Sequence, residues 1–321
     1  MKRGVVLEKI EQIISSNAIV QVAFLALVAF IGCIKVTVQG RCSRNYIKNT
    51  QDSVLYNMMF FASVAVALSV ALPLAVPTGT TLWIAALNSI TNMSFQVLYT
   101  VALTIGPVSL TVLIINFSVL VPTAMRFLLL GESFYFTQML GIVCLLVSMI
   151  LSVNKSENEQ KASKKWLILT VACMLVNGAG GCIQKLFYQT ETAKTVPNSD
   201  NTYLVFIYIF SAILALAVYL FCAHTGKKEK STYWFSKNVL FYAMAVGVII
   251  AVFQKCYMMG NKLIPGSIMF PTYYGLQSLG MSFIGIIIFK DRLSLKQKIG
   301  ILFGIVSIAL MNLKLGFYVS I

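Results

Sequence analysis

Three lysines, Lys35, Lys185 and Lys255, stand inside otherwise apolar stretches of the chain. An ammonium group there is costly unless it faces water, an anion or the interior of a bundle, so each is a candidate to meet an anionic ligand. A second role is open to all three. Each falls in the last turn or so of its apolar run, where a lysine can extend its stem and keep its charge at the interface. Glutamine and tyrosine recur three residues apart, as Gln96 with Tyr99 and again as Gln254 with Tyr257, a spacing that puts both on one helical face. They would offer donors and acceptors around a polar ligand, or hydrogen-bond between helices. Asn116, Asn177, Tyr273, Tyr274 and Gln277 complete the polar side chains expected to line a cavity.

Bond-breaking chemistry finds little material. All ten acidic residues fall in predicted loops, tails or helix-end turns, and the single histidine, His224, is in a loop. No paired carboxylates, histidine cluster or serine-base constellation is embedded, so an enzyme is not expected. The glycine-rich run 178–181 lacks the preceding strand and the lysine-serine ending of a phosphate loop. Following Asn177, it suits close helix approach or local unwinding instead. Of seven cysteines, only Cys42 lies outside the apolar runs; neither a disulfide framework nor a zinc spacing appears, and neither metal nor cofactor is expected. The acid-poor interior also disfavours proton-coupled export of lipophilic cations, which needs a buried carboxylate that alternates between proton and cargo.

These side chains must be positioned by helices in a bilayer. With 58% hydrophobic and 11% charged residues, the chain has too little polar surface for a water-soluble domain. Ten segments are long and apolar enough to span, at 18–39, 55–76, 81–104, 108–130, 136–153, 166–188, 202–223, 238–259, 264–289 and 297–315. The first is too long for a signal-peptide core and lacks a cleavage site, so it is expected to be retained. Trp83, Trp166 and Trp234 sit at predicted helix ends, where an indole suits the headgroup layer. The net charge of +15 is carried mostly by short loops after the first, fifth, seventh and ninth segments, so it reports topology and lipid contact rather than nucleic acid. Taken alone, those charges place the loops in the cytoplasm and both termini outside.

The second half repeats the first. Phe95-Gln96-Val97-Leu98-Tyr99 is echoed by Phe253-Gln254-Lys255-Cys256-Tyr257, and the same offset of 158 aligns Pro107 with Pro265 and Ser109 with Ser267. At an offset of 159, Glu132, Gln138, Gly141 and Ser148 match Asp291, Gln297, Gly300 and Ser307. Gly32-Cys33-Ile34 before Lys35 recurs as Gly181-Cys182-Ile183 before Gln184-Lys185. Ordered polar matches at nearly one offset indicate internal duplication. The expected organisation is a polar segment at 1–17, a five-helix repeat at 18–154, a linker at 155–165 and a second five-helix repeat at 166–321. Five helices are an odd number, so the second copy enters the membrane in the opposite sense. The fold class is therefore all-α integral membrane, with ten transmembrane helices as two inverted five-helix repeats. Pro107 and Pro265, at matching positions, mark either helix starts or paired interruptions of a binding site. Pro122 and Pro271 are expected deeper in their helices as kinks, with Gly275 one turn past Pro271.

The run Leu130-Gly131-Glu132-Ser133-Phe134 with Gln138 and Gly141, matched more loosely by Asp291-Arg292-Leu293 with Gln297 and Gly300, resembles the drug/metabolite transporter superfamily, in particular its ten-helix EamA-type members. The resemblance covers nearly the whole membrane region and rests on structural motifs. It implies cytoplasmic termini, opposite to the charge count. The expected function is a secondary transporter that moves an anionic or zwitterionic metabolite, such as an amino acid, by alternating access. A multidrug or organic-cation exporter of the same fold is the alternative; a receptor or scaffold would not require the duplication. The expected partners are a small-molecule substrate and the lipid bilayer, without nucleic acid, with one chain sufficient and the plasma or inner membrane as location.

Overall fold

The computed structural model describes residues 13–14, 17–47, 50–105, 111, 114–129, 134–151, 163–224, 237–289, 294–312 and 318–319. The N-terminal lysines, Pro107, the acidic turns at 130–133 and 291–293, linker residues 155–162 and Trp234 lie outside the described residues, as does the side chain of Gln297. The described residues are almost wholly helical: α1 (Ala18–Tyr46), α2 (Thr50–Ala71), α3 (Gly79–Ile105), a 3-10 turn (Phe117–Val119) leading into α4 (Leu120–Leu129), α5 (Phe136–Leu151), α6 (Lys164–Gln189), α7 (Glu191–Thr195), α8 (Ser199–His224), α9 (Lys237–Leu263), α10 (Gly266–Phe289) and α11 (Leu295–Asn312). A two-residue antiparallel bridge joins β1 (Phe134–Tyr135) to β2 (Tyr318–Val319).

Five helical segments are long and apolar enough to cross a membrane: Ala18–Gln39, Gln51–Ala71, Lys164–Gln189, Ser199–Phe221 and Lys237–Leu263. They mark a multi-pass membrane protein. α3 is equally long, yet its apolar character is diluted by Asn88, Ser89, Thr91, Asn92, Ser94 and Gln96. Helix ends follow local chemistry. α2 begins earlier than the hydropathy pattern predicts, because Asp52 in its first turn suits the positive end of the helix dipole, and it stops at Ala71 ahead of Pro73. Ser163 caps α6 by accepting from the Trp166 backbone N–H at 3.1 Å. Asn198 takes a left-handed conformation, φ 62°, in the turn before α8.

The prolines and glycines sort by position. Pro265 immediately precedes α10, and its carbonyl accepts from the backbone of Ile268 and Met269, so it starts a helix. Pro122 lies in the first turn of α4; lacking an N–H and crowding the carbonyl four residues back, it accounts for the tightening of Phe117–Val119 into a 3-10 turn. Pro271 does lie inside α10. Gly275, expected to add freedom there, instead admits neighbours: a Cβ on it would stand 3.1 Å from Leu145 and 3.6 Å from Ile308.

The described chain divides into two compact units, neither a continuous stretch of sequence. One comprises α1 up to Cys33, α4, α5, α9 from Cys256, α10 and α11. Its backbone is the antiparallel pair α5 and α11, with α10 packed on both. Ser148 Oγ donates to the Gly300 carbonyl at 2.6 Å, and Ser307 Oγ donates to the Gly141 carbonyl at 2.8 Å. These four residues are among those that match at an offset of 159, so each serine bonds the glycine that matches the one seven residues before it. Gly141 is required by closeness: a Cβ would stand 2.8 Å from Met311 Cγ, 3.1 Å from the Ser307 carbonyl oxygen and 3.2 Å from the Met311 nitrogen. The other unit holds α1 from Ile34, α2, α3, α6, α7, α8 and α9 up to Lys255. There α8 packs along α2 and α3, and α6 along α3. Gly180 lets α6, unbroken through its glycine run, approach Thr91, whose Oγ1 would be 3.2 Å from a Cβ.

Candidate functional site

In the second unit, α3 carries Asn88, Asn92, Gln96 and Thr100 four residues apart, hence on one face. Three of these side chains find a partner on another helix. Asn88 Nδ2 donates to Tyr203 OH at 2.9 Å, Asn92 Nδ2 to Ser211 Oγ at 3.1 Å, and Gln39 Nε2 donates to Gln96 Oε1 at 2.9 Å. Gln254 Nε2, on α9, donates to Tyr208 OH at 2.8 Å. This polar ladder ties α3 and α9 to α8, and α3 to α1. Each such bond within a membrane bundle contributes about 0.6 kcal/mol, so the ladder specifies helix register more than it adds stability. The sequence reading missed Asn88, Asn92, Tyr203, Tyr208 and Gln39, although the four-residue spacing along α3 was there to be seen.

Lys35 lies half-buried on α1, its Nζ 4.8 Å from the centroid of the Phe253 ring. Side chains lean toward the N-terminus of their helix, so near the C-terminal end of its apolar run Lys35 leans into the span. Among the described residues no carboxylate pairs with it. A ring face offers a cation about 0.5–2 kcal/mol. Desolvating an ion costs several kcal/mol, so Lys35 leaves this part of the unit short of negative charge. One turn further along α1, on the same face, Gln39 is 2% exposed and its Oε1 has no hydrogen-bond partner.

Lys255 is different. Its Nζ is 2.9 Å from Asp200 Oδ2 and also meets Asn201 Oδ1, with both ionic side chains about one-fifth exposed. Asn201 Nδ2 donates to the Pro73 carbonyl at 2.9 Å, and Thr202 Oγ1 accepts from Ala75 N and donates back to its carbonyl. The first turn of α8, the segment after α2 and α9 are thereby tied at one point. Lys255 extends, as a snorkelling lysine would, but to a carboxylate of its own chain. Asp200 does lie in a helix-end turn, as its position in sequence suggests; it is shielded there rather than solvated. Lys185 and Asn177 are half-buried on α6.

The remaining candidates fall in the other unit. Tyr257 meets Tyr273 edge-on at 5.1 Å between centroids, and Tyr273 meets Tyr274 likewise at 5.1 Å. Ser118 Oγ donates to Tyr274 OH at 3.2 Å, Asn116 is buried nearby in sequence, and the Gln277 carbonyl accepts from Cys33 Sγ at 3.5 Å. Lys35, Gln96, Tyr99, Asn177, Lys185 and Gln254 thus belong to one unit, and Asn116, Tyr257, Tyr273 and Gln277 to the other. The paired motif separates accordingly: Tyr99 stacks on Phe95 at 5.5 Å, while Gln254 and Tyr257 are assigned to different units. Trp83 is 70% exposed, as an interfacial ring should be, whereas Trp166 is buried and its indole donates to Thr111 Oγ1 at 2.8 Å.

Among the described residues no group of three or more His, Cys, Asp or Glu side chains is placed to hold a metal. Cys42, beyond the apolar run of α1, is buried; burial pushes its thiol up to about 11, against a smaller opposing effect of a Tyr56 hydrogen bond, so it stays protonated at neutral pH.

No family model matches the sequence. No curated protein aligns with it as a relative. A chain of known crystal structure shares the fold, with a TM-score of 0.67 over 90% of this chain and 98% of its own at 13% identity.

Proposed function

We propose that this chain is a secondary transporter that moves a small anionic or zwitterionic metabolite across its membrane by alternating access. The observation that carries the reading is the reciprocal pair of bonds between α5 and α11, Ser148 to Gly300 and Ser307 to Gly141. Equivalent residues that bond one another reciprocally across antiparallel helices are related by a two-fold axis perpendicular to those helices. For helices that cross a bilayer, such an axis lies in the membrane plane, the relation expected of inverted five-helix repeats. The packing of α2 on α8 and of α4 on α10 agrees, since these are the second and fourth segments of each copy. Two copies related in this way have two equivalent arrangements, one open to each side, which is the basis of alternating access. The sequence resemblance to EamA-type drug/metabolite transporters points the same way.

Lys35 sets the sign of the cargo. An exporter of organic cations would want a carboxylate able to exchange its partner for the drug, but Asp200 is engaged by Lys255, which also meets Asn201. The test is counterflow in proteoliposomes preloaded with mixtures of organic acids, amino acids or organic cations, with parent protein and Lys35→Met compared. Accelerated uptake of an acid or amino acid by the parent alone is expected. Accelerated uptake of cations only, unchanged in Lys35→Met, overturns the substrate assignment; absence of counterflow for all mixtures by folded protein overturns the carrier reading.

A further inference from the structure

We infer that Lys35 and Gln39 together form a recognition site for an acid that carries a hydrogen-bond donor close to its anionic group, as α-amino and α-hydroxy carboxylates do. The inference rests on the carrier reading and narrows its substrate class. Two independent features support it. The first is a cation embedded in an apolar helix whose neighbour is the Phe253 ring, with no carboxylate paired to it among the described residues. The second is an amide oxygen without a partner on a side chain 2% exposed.

Residues 35 and 39 are one turn apart, so their side chains emerge from the same face of α1 about 6 Å apart along the axis. A ligand spanning both must place a negative group at Lys35 Nζ and a donor at Gln39 Oε1. An ammonium or hydroxyl on the carbon next to a carboxylate lies within that reach. The Gln39 amide is tethered by its donation to Gln96 Oε1 at 2.9 Å, and Gln96 is itself 4% exposed. The acceptor is therefore held in place before a ligand arrives, so little ordering is lost on binding. A plain carboxylate would satisfy Lys35 and leave the buried amide oxygen open, and sites built to bond a donor discriminate strongly against analogues that lack it.

The experiment uses full-length protein in detergent and thermal-shift titration with matched acids: lactate, alanine and propionate; malate and succinate; glutamate and glutarate. Donor-bearing members are expected to bind at least about tenfold tighter than the matched plain acid. Lys35→Met should abolish binding of every acid, whereas Gln39→Leu should retain acid binding and erase the preference; Gln39→Met serves if the leucine variant fails to fold. Preference for the amino over the hydroxy acids would mark a zwitterion site, and the reverse a hydroxy-acid site. Equal affinity within each matched set overturns the recognition site, and so does preference that survives both Gln39 variants. In either event counterflow of the acids that bind would leave the carrier reading standing, and its absence would remove that too.

Discussion

Replacing Gly141 by alanine tests the seam on which the proposed repeat architecture rests. The added methyl would stand 2.8 Å from Met311 Cγ, which is flexible, but also 3.1 Å and 3.2 Å from a backbone oxygen and nitrogen of α11, which are not. The helices must separate by a few tenths of an ångström, and overpacking of this kind costs about 1–3 kcal/mol. Separation also strains the two serine bonds that run along the seam, at about 0.6 kcal/mol each. Alanine recovers about 1 kcal/mol over glycine in a helix interior, leaving a net loss of about 1–3 kcal/mol. Gly79→Ala is the matched control. Gly79 is the exposed first residue of α3 and a Cβ there meets nothing within 4 Å, so the change should be neutral or stabilising by up to about 1 kcal/mol. Thermal melting in one detergent, together with denaturation by titrated SDS, reads both variants against the parent. If Gly141→Ala melts at or above the parent temperature, α5 and α11 are not in the contact described, and the two-fold relation built on it fails.

Three further outcomes follow from the other unit. Lys35→Met should raise the melting temperature of ligand-free protein by removing an embedded cation without a carboxylate, even as it abolishes acid binding; a lower melting temperature would mean that Lys35 is compensated after all. Asp200→Asn and Lys255→Met should each destabilise by about 1–3 kcal/mol, and the double variant by clearly less than their sum; additive losses in a double-mutant cycle would show that the pair is not coupled. Tyr203→Phe removes the acceptor of the buried Asn88 amide and should cost about 0.5–2 kcal/mol, with Asn88→Leu adding little in its presence; this too is read by SDS denaturation.

Much of the fold was legible because a bilayer imposes one-dimensional rules. A run of apolar residues long enough to cross must be helical to satisfy its own backbone, so α1, α2, α6, α8 and α9 can be read from composition with no knowledge of their neighbours. Their ends were less legible: α2 begins and ends where Asp52 and Pro73 dictate, because local capping and steric terms outweigh hydropathy at helix termini. The expectation of a duplication, too, rests on the order of polar residues. The candidate site was legible only as residue types. Sequence could nominate Lys35 and Lys255 alike as embedded cations, since both are lysines in apolar runs. Only the tertiary structure set Asp200 against Lys255 and an aromatic ring against Lys35, because the partners lie 55 and 218 positions away in the chain and are chosen by how helices pack. The same holds for Ser148 and Ser307. Their matching positions raised the expectation of a repeat, but that Ser148 bonds Gly300 and Ser307 bonds Gly141 is a consequence of antiparallel packing, which no local spacing encodes.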